Sequence, residues 1–340
     1  MSFDFPKIDL HCHLDGAMRP ETAMLLAAER GISVPAKDLD DFRNFISVTA
    51  DCRDVNEYLK RFDLPLSIMQ DSESLYRTAF ELVEMQYMQG LRWAEIRFAP
   101  QLHCRKGLTQ QAAIDAVSSG VVDACRKYES IKVGLILCMM SFGNPALNDA
   151  ANRETIELTK KNLGSVVRGI DLAGAEGLTP LSSYGYLFEI IRAYKLPFTC
   201  HAGDSQGPDT VLDALNFGAR RIGHGHHIID DPSLVERAIR DGVTLEICIT
   251  SNIQCSTQPS YEQHPIKRLY DAGVKTTLNT DNMVLSGVTL DSEYRLATER
   301  CGFTVADIIK MNINSANASF MPDCYREQLI GELEQALKNN

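Results

Sequence analysis

The sequence predicts an α/β protein folded as a (β/α)₈ TIM barrel, a closed ring of eight parallel strands surrounded by helices. The chain has 340 residues, and this fold typically takes about 250 residues plus insertions. Nearly continuous apolar runs such as 133–138 are typical of parallel strands buried on both faces. Eight short apolar segments alternate with helical patterns. The predicted strands are Lys7–His11, Trp93–Ala99, Val133–Met140, Val167–Ala173, Phe198–His201, Arg221–Gly223, Thr244–Ile249 and Lys275–Asn279.

Helical signals lie between these strands. Thr109 is suited to cap the N-terminus of one helix, and Gly90 is suited to end an earlier helix that begins near Ser72. In the helix after Thr109, apolar residues recur at three- and four-residue spacing, which is the pattern of an amphipathic helix. These residues are Ile114, Val117, Val121, Ala124 and Tyr128.

Residues beyond a minimal barrel fall into two segments. A helical insertion is predicted at about 36–70, after the first strand–helix unit, and extra C-terminal helices are predicted from about 291 to the end. No linker, repeat or low-complexity stretch divides the sequence. The sequence therefore predicts a single domain over residues 1–340.

Composition argues against several classes of function. The net charge of −11 at pH 7 and the pI near 5.2 argue against nucleic acid, whose phosphates require basic patches. The sequence has no apolar run of about 18 residues and no signal-peptide pattern, so no membrane segment is predicted. The ten cysteines form no CxxC pair, as expected in a reducing compartment. We expect a cytoplasmic enzyme with a small, weakly charged substrate and leave its oligomeric state open.

Residue types that bind metals lie at the ends of three predicted strands. His11 and His13 end the first strand, His201 ends the fifth, and Asp281 follows the eighth. Because side chains alternate along a strand, His11 and His13 point the same way, while Cys12 points into the packing layer. Three imidazoles and one carboxylate suit a zinc-type ion, which lowers the pKa of a bound water from about 15.7 to about 7. Taken alone, the first segment could equally be two polar residues at a strand end.

Further strand ends meet at the same face of the predicted barrel. Gly174 ends the fourth strand and His224 ends the sixth. Active sites of this fold lie at the C-terminal ends of the strands. We therefore expect these residues to converge with the metal site, and catalysis is the function that they indicate.

Five motifs surround these strand ends in order along the chain. They are HCHLDG at 11–16, IDLAG at 170–174, HAGD at 201–204, RIGHGH at 221–226 and LNTD at 278–281. Together they resemble the adenosine deaminase family of the amidohydrolase superfamily. The resemblance covers nearly the whole chain at similar spacing, and it implies a (β/α)₈ barrel with purine deaminase activity.

The resemblance implies one Zn²⁺ per chain, bound by His11, His13, His201 and Asp281. Asp281 would also hold the attacking water, and His224 would orient and deprotonate that water. The implied reaction is attack on C6 of the purine, delivery of a proton to ring N1 and departure of ammonia.

The resemblance also implies the proton donor and the substrate contacts. Asp204 occupies the position of the donor to N1. The backbone N–H of Gly174 would approach purine N3, where a residue without a side chain is suited to the turn. Asp15 would accept a hydrogen bond from the ribose 5′-hydroxyl, with His13 beside it, and this Asp favours a nucleoside over adenine or a nucleotide.

Two residues depart from the family pattern. The usual proton donor of the family is Glu, whereas Asp204 is one methylene shorter, and roughly 1 Å of misplacement can cost about 10²-fold in rate. Asn282 stands where many relatives have a second Asp. Its amide could donate to purine N7 without any pKa shift, so it is compatible with purine binding.

Other polar residues have structural interpretations. The pair His226–His227 is interpreted as part of a loop, and Glu246 is a candidate to orient a catalytic histidine, with a similar role for Asp171. Tyr58 and Phe62 in the insertion could form the edge of a lid over the base, or could simply pack in a helical core.

The function predicted from the sequence is zinc-dependent hydrolytic deamination of adenosine, and of 2′-deoxyadenosine, to the inosine product and ammonia in purine salvage or catabolism. One alternative is a deaminase of another aminopurine, such as adenine or a modified or conjugated adenine nucleoside. A second is a zinc-containing purine nucleoside binder whose turnover is reduced by Asp204. In each case the expected partner is a small purine compound, without nucleic acid or membrane.

Overall fold

A computed structural model describes residues 3–49 and 52–339 and shows the predicted (β/α)₈ barrel. All eight predicted strands are present, are parallel to their neighbours and have ends shifted by a few residues. The strands are β1 (Lys7–His13), β2 (Leu91–Phe98), β3 (Lys132–Ser141), β4 (Val167–Gly174), β5 (His201–Ala202), β6 (Arg221–His224), β7 (Thr244–Ile247) and β8 (Lys275–Leu278).

The fifth strand is shorter than the predicted segment 198–201. Strands β1–β4 form one four-stranded sheet and β5–β8 form another. Between β4 and β5 the two sheets meet at a bridge between Ile170 and Phe198, and the N–H of Thr199 donates to the carbonyl of Ile170 at 3.0 Å. Since a single bridge is not a continuous ladder, the regular strand begins only at His201.

The first and last strands close the barrel at a seam. Cys12 in β1 forms a bridge with Asp281, just beyond β8. The N–H of His13 donates to the carbonyl of Asp281 at 2.7 Å, and the N–H of Asp281 donates to the carbonyl of His11 at 2.7 Å. The seam thus places three predicted site residues side by side.

Fifteen α-helices occur in the described chain. Thr109 caps α6 as predicted, since its hydroxyl oxygen accepts from the N–H of Ala112 at 3.1 Å. The helix predicted from Ser72 begins there, capped by Asp71. The helices are α1 (Pro20–Glu29), α2 (Leu39–Ile46), α3 (Val55–Leu59), α4 (Asp63–Ile68), α5 (Ser72–Met88), α6 (Gln110–Lys127), α7 (Pro145–Asn162), α8 (Gly185–Ala193), α9 (Pro208–Phe217), α10 (Pro232–Asp241), α11 (Ile249–Gln254), α12 (Ile266–Asp271), α13 (Leu290–Arg300), α14 (Val305–Ala318) and α15 (Asp323–Lys338).

The seventh strand was predicted as Thr244–Ile249, and the position of its C-terminal end was wrong. The strand ends at Ile247, and Ile249 begins α11. Both residues are fully buried, and an apolar run that is buried on all sides has the same pattern in a strand and in a helix. The helix therefore follows β7 almost directly.

The two predicted surplus segments are helical. Helices α2, α3 and α4 occupy the insertion, and the N–H of Val48 donates to the carbonyl of Leu285 beyond β8 at 2.8 Å. Helices α13, α14 and α15 follow the barrel. In α14, the Asn312 side-chain oxygen accepts from the N–H of Ile8 at 2.9 Å, which ties the C-terminal helices to the start of β1.

One hydrophobic cluster of buried side chains extends from Phe3 to Leu333 and includes residues of the strands, the insertion and the C-terminal helices. On this basis we propose that the chain forms a single domain. No helix in the described part of the chain is long and apolar enough to cross a membrane.

Candidate active site

A cavity of about 350 Å³ opens at the C-terminal ends of the strands. This is the face at which (β/α)₈ enzymes carry their active sites. Its lining includes eight of the nine predicted site residues, namely His13, Asp15, Gly174, His201, Asp204, His224, Asp281 and Asn282. The ninth, His11, is fully buried and lies beside His201, with 4.6 Å between the ring centroids.

The four candidate metal ligands direct their donor atoms to one point. His13 Nε2 lies 3.3 Å from His201 Nε2 and 3.4 Å from Asp281 Oδ1, and His11 Nε2 lies 3.6 Å from the same oxygen. Two ligand atoms about 2.1 Å from a tetrahedral ion are roughly 3.4 Å apart. His11 Nε2 is buried and has no hydrogen-bond partner among the described residues. The donor set therefore fits a zinc-type ion.

Two carboxylates orient the histidine ligands from behind. His11 Nδ1 donates to Glu246 Oε2 at 2.9 Å, and Asp171 Oδ2 lies 2.9 Å from His201 Nδ1 in a close ionic contact that is not aligned as a hydrogen bond. Burial lowers the pKa of His11 well below its ordinary value, and the charge of Arg97 lowers it further. A neutral imidazole has a free lone pair for a metal.

Two residues at strand ends adopt the left-handed backbone conformation. His224 has φ of +61° and Asp281 has φ of +58°, a conformation that is uncommon for residues other than Gly. Such residues cost about 1–3 kcal/mol each and are concentrated at functional sites. Two of the four such non-Gly residues in the described chain are thus predicted site residues.

Asp204 lies in a polar network on the other side of the cavity. Its Oδ1 accepts from Asn252 Nδ2 at 2.7 Å and from the Thr257 hydroxyl at 3.4 Å. The same Asn252 nitrogen lies 3.0 Å from His224 Nδ1, and His264 Nε2 donates to Asn252 Oδ1 at 3.1 Å. Burial raises the pKa of Asp204 above its ordinary value, which favours a carboxyl that carries a proton.

Polar groups without protein partners mark the substrate side of the cavity. Burial raises the pKa of Asp15 to about 6, and one of its oxygens has no hydrogen-bond partner in the described chain. Asn282 Nδ2 donates to Tyr58 Oη at 2.8 Å, while its Oδ1 is likewise unpaired. Gly174 has φ of +124°, and a Cβ there would lie 2.9 Å from the carbonyl of Ser141, so only glycine fits.

The structure also shows residues that the sequence analysis missed. The Ser251 hydroxyl donates to Asp281 Oδ2 at 2.6 Å, and Asn252 links Asp204 to His224. Both lie in α11, which follows β7, and β7 is one of the strands whose C-terminal end contributed no candidate. Cys248 groups with His11 and Asp281 at donor separations within 4.8 Å.

Several other residues lie where the sequence analysis expected them. Tyr58 and Phe62 both line the cavity, and both also pack in a small cluster with Cys52 and Cys255, so their positions fit both predicted arrangements. His226 and His227 lie in a short 3₁₀ turn after β6. His227 pairs with Asp230 at 2.8 Å, away from the candidate ligands.

Comparison with known proteins places the chain in a family. The family model described as adenosine deaminase matches residues 6–336. The chain belongs to the adenosine deaminase family. Adenosine deaminases of Haemophilus ducreyi and Clostridium kluyveri are 38% and 37% identical to it over 331 and 316 residues. The alignments cover 96% and 93% of this chain and 95% and 89% of the relatives.

Solved structures share the fold of this family member. An adenine deaminase from Arthrobacter aurescens has a TM-score of 0.88 at 22% identity and covers 98% of this chain and 99% of its own. An amidohydrolase from Burkholderia ambifaria with bound Zn has a TM-score of 0.86 at 24% identity, covering 99% and 94%. An N6-methyl-AMP deaminase from Arabidopsis thaliana has a TM-score of 0.84 at 25% identity, covering 99% and 98%.

Replacing His201 by Ala is expected to strip the metal, because it removes one of four converging donors. Zinc per chain would be measured by mass spectrometry after loading and desalting. His227→Ala is the matched control and should retain the wild-type zinc content, since His227 faces Asp230. An unchanged zinc stoichiometry in His201→Ala would contradict the donor set.

Proposed function

We propose that this protein catalyses the zinc-dependent hydrolytic deamination of adenosine, and of 2′-deoxyadenosine, to the inosine product and ammonia. The observation that carries the proposal is the convergence of four metal donors with Asp204 and His224 in one cavity. Full-length relatives named adenosine deaminase, at 35–38% identity, support the substrate. The reaction makes the protein a hydrolase that acts on carbon–nitrogen bonds.

One zinc ion per chain would be held by His11, His13, His201 and Asp281. When bound, zinc lowers the pKa of water to about 7. The short hydrogen bond from the Ser251 hydroxyl fixes the Asp281 carboxylate, so that its other oxygen is directed towards the histidines.

The remaining residues act on the water and on the base. His224 orients the attacking water and accepts its proton, and Asn252, whose Nδ2 lies 3.0 Å from His224 Nδ1, holds the imidazole in place. Asp204, whose pKa is raised by burial, delivers a proton to purine N1 as the tetrahedral centre forms at C6. Proton transfer of this kind contributes about 10²–10⁴-fold to rate.

The substrate is positioned by groups at the cavity wall. Gly174 presents its N–H to purine N3, and the Asn282 amide donates to N7. Asp15 accepts from the ribose 5′-hydroxyl, which would satisfy its unpaired oxygen. This buried acceptor favours a nucleoside over free adenine, the substrate in the name of one structural neighbour.

We further infer a cytoplasmic protein with a small purine nucleoside as its partner. All ten cysteines are free thiols, which supports a reducing compartment. The net charge of −11 supports the expectation that nucleic acid is not a partner.

Purified, zinc-loaded protein is expected to convert adenosine to inosine with one ammonia released per nucleoside. Turnover would be followed by ultraviolet absorbance and by an ammonia assay, and should be lost on chelation and recovered with zinc. Adenosine binding without ammonia release would favour the non-catalytic binder. Turnover of another aminopurine, but not of adenosine, would favour the other alternative.

Asp204→Asn should lower kcat by about 10²–10⁴-fold, because an amide cannot deliver the proton. Asp204→Glu should change kcat more than zinc content, because this residue is not a proposed ligand. The exposed Asp209→Asn in α9 is the control and should leave both quantities unchanged. Loss of zinc in the Asp204 variants would contradict the assignment.

The wild-type kcat/KM is expected to be about 10- to 150-fold lower for 5′-deoxyadenosine than for adenosine, since a charge-assisted hydrogen bond contributes about 1.5–3 kcal/mol. Asp15→Ala should lower kcat/KM for adenosine and remove this discrimination. The measurement is steady-state kinetics of both proteins on both substrates. Equal discrimination before and after the substitution would show that Asp15 does not read the 5′-hydroxyl.

A further inference from the structure

A carboxylate outside the cavity holds the loop that carries Asp204. This loop, residues 203–206, leads from β5 towards α9. Glu176, two residues beyond the end of β4, accepts from the four successive backbone N–H groups of the loop. The donor–acceptor distances, in chain order, are 2.6, 3.0, 2.6 and 3.1 Å.

The two oxygens of Glu176 divide these donors between them. Oε1 accepts from the N–H of Gly203 and from the hydroxyl of Thr210, the latter at 2.7 Å. Oε2 accepts from the other three N–H groups. Successive backbone N–H groups in a turn form an anion-binding nest, and a carboxylate can fill it because both of its oxygens only accept. The protein's own side chain is the anion here.

Two glycines in the left-handed conformation lie in these loops. A Cβ at Gly203, where φ is +65°, would lie 2.4 Å from Val211 Cγ2. A Cβ at Gly177, where φ is +92°, would lie 2.4 Å from Gln206 Nε2. Gly203 thus allows the loop to pack against α9, and Glu176 is the polar link between the loop after β4 and the loop after β5.

We propose that Glu176 is a positioning residue that sets the place of Asp204 by filling the N–H nest of residues 203–206. The described cavity lining includes Gly174 and Asp204 but not Glu176, so Glu176 acts through the loop. Asp204 is thereby held at both ends, with its backbone held by Glu176 and its carboxylate by Asn252. The Asp204 carboxyl is therefore kept in one position at the cavity wall.

The proposal rests on the proposed deaminase function, in which Asp204 protonates the base. Glu176→Ala is expected to lower kcat about 10²-fold, the effect of roughly 1 Å of misplacement. KM should change far less, because Gly174 is paired with Ser141 in β3 and keeps its place. Zinc per chain should equal that of the wild type, since no proposed ligand contacts Glu176.

Acetate provides the decisive readout, because Glu176→Ala removes a CH₂–COO⁻ unit of about that size from a half-buried nest. Added acetate should restore kcat in a saturable manner. Acetamide, which has the same shape but only one acceptor oxygen and no charge, should restore less of it than acetate does, and sodium chloride at equal ionic strength should not restore it. A variant that is merely destabilised would not respond to acetate in this way.

Asp231→Ala is the matched control. The Asp231 carboxylate also accepts backbone N–H groups at the start of a helix, from Ser233 at 2.9 Å and Leu234 at 3.4 Å, but it contacts no predicted site residue. This variant should keep the wild-type kcat and show no response to acetate. Wild-type protein with acetate controls for inhibition by the anion.

Glu176→Gln tests the same proposal if Glu176→Ala does not fold. One amide oxygen can serve only half of the donors, so kcat should lie between those of the wild type and the Ala variant, with no acetate response because the amide fills the nest. A wild-type kcat in a folded Glu176 variant, or a loss in Glu176→Ala that acetate does not restore, would overturn the proposal. Absent adenosine turnover by the wild type would instead refute the proposed function itself.

Discussion

The rest of the site depends on the hydrogen bonds and ion pairs made by the buried carboxylate of Glu246. Its Oε2 accepts from His11 Nδ1 at 2.9 Å and from Arg97 at 2.7 Å, and its Oε1 accepts from Arg221 at 2.7 Å and from the Thr199 hydroxyl at 3.0 Å. Burial alone would raise the pKa of Glu246, but the two arginines hold it well below its usual value. Because breaking a buried ion pair costs about 3–5 kcal/mol, the orientation of His11 is tied to the stability of the whole barrel.

The sequence was a good guide wherever function follows from the end of a strand. Apolar runs located all eight strands, and polar residues just beyond them located the donors that the seam brings together. Glu176 and Asn252 could not be predicted in this way. Glu176 acts through the backbone N–H groups of another loop, whose direction depends on dihedral angles that no residue pattern reveals. Asn252 can orient Asp204 and His224 because these two side chains lie close together in the fold. They are 20 residues apart in the sequence, so the sequence does not give the distance between them.

The site contains buried polar groups without hydrogen-bond partners, and the stability of the barrel must offset their free-energy cost. His11 Nε2 and one oxygen each of Asp15 and Asn282 are buried without hydrogen-bond partners in the described chain, and such groups cost about 1–3 kcal/mol each. Two residues in left-handed backbone add to this cost. A large apolar core offsets it, so the cavity is organised for its ligands before they arrive. Binding of the proposed metal and nucleoside would give partners to His11 Nε2 and to the Asp15 oxygen, as expected of a preorganised site.

The seam between the first and last strands has a consequence for the protein during its synthesis. His11 leaves the ribosome early, whereas Asp281 follows 270 residues later, which at about 5–20 residues per second corresponds to roughly 14–54 s. Until then the histidines near the N-terminus lack the carboxylate of the proposed metal site. A nascent or truncated chain would therefore have only part of that site, and metal loading would indicate that translation has passed the last strand.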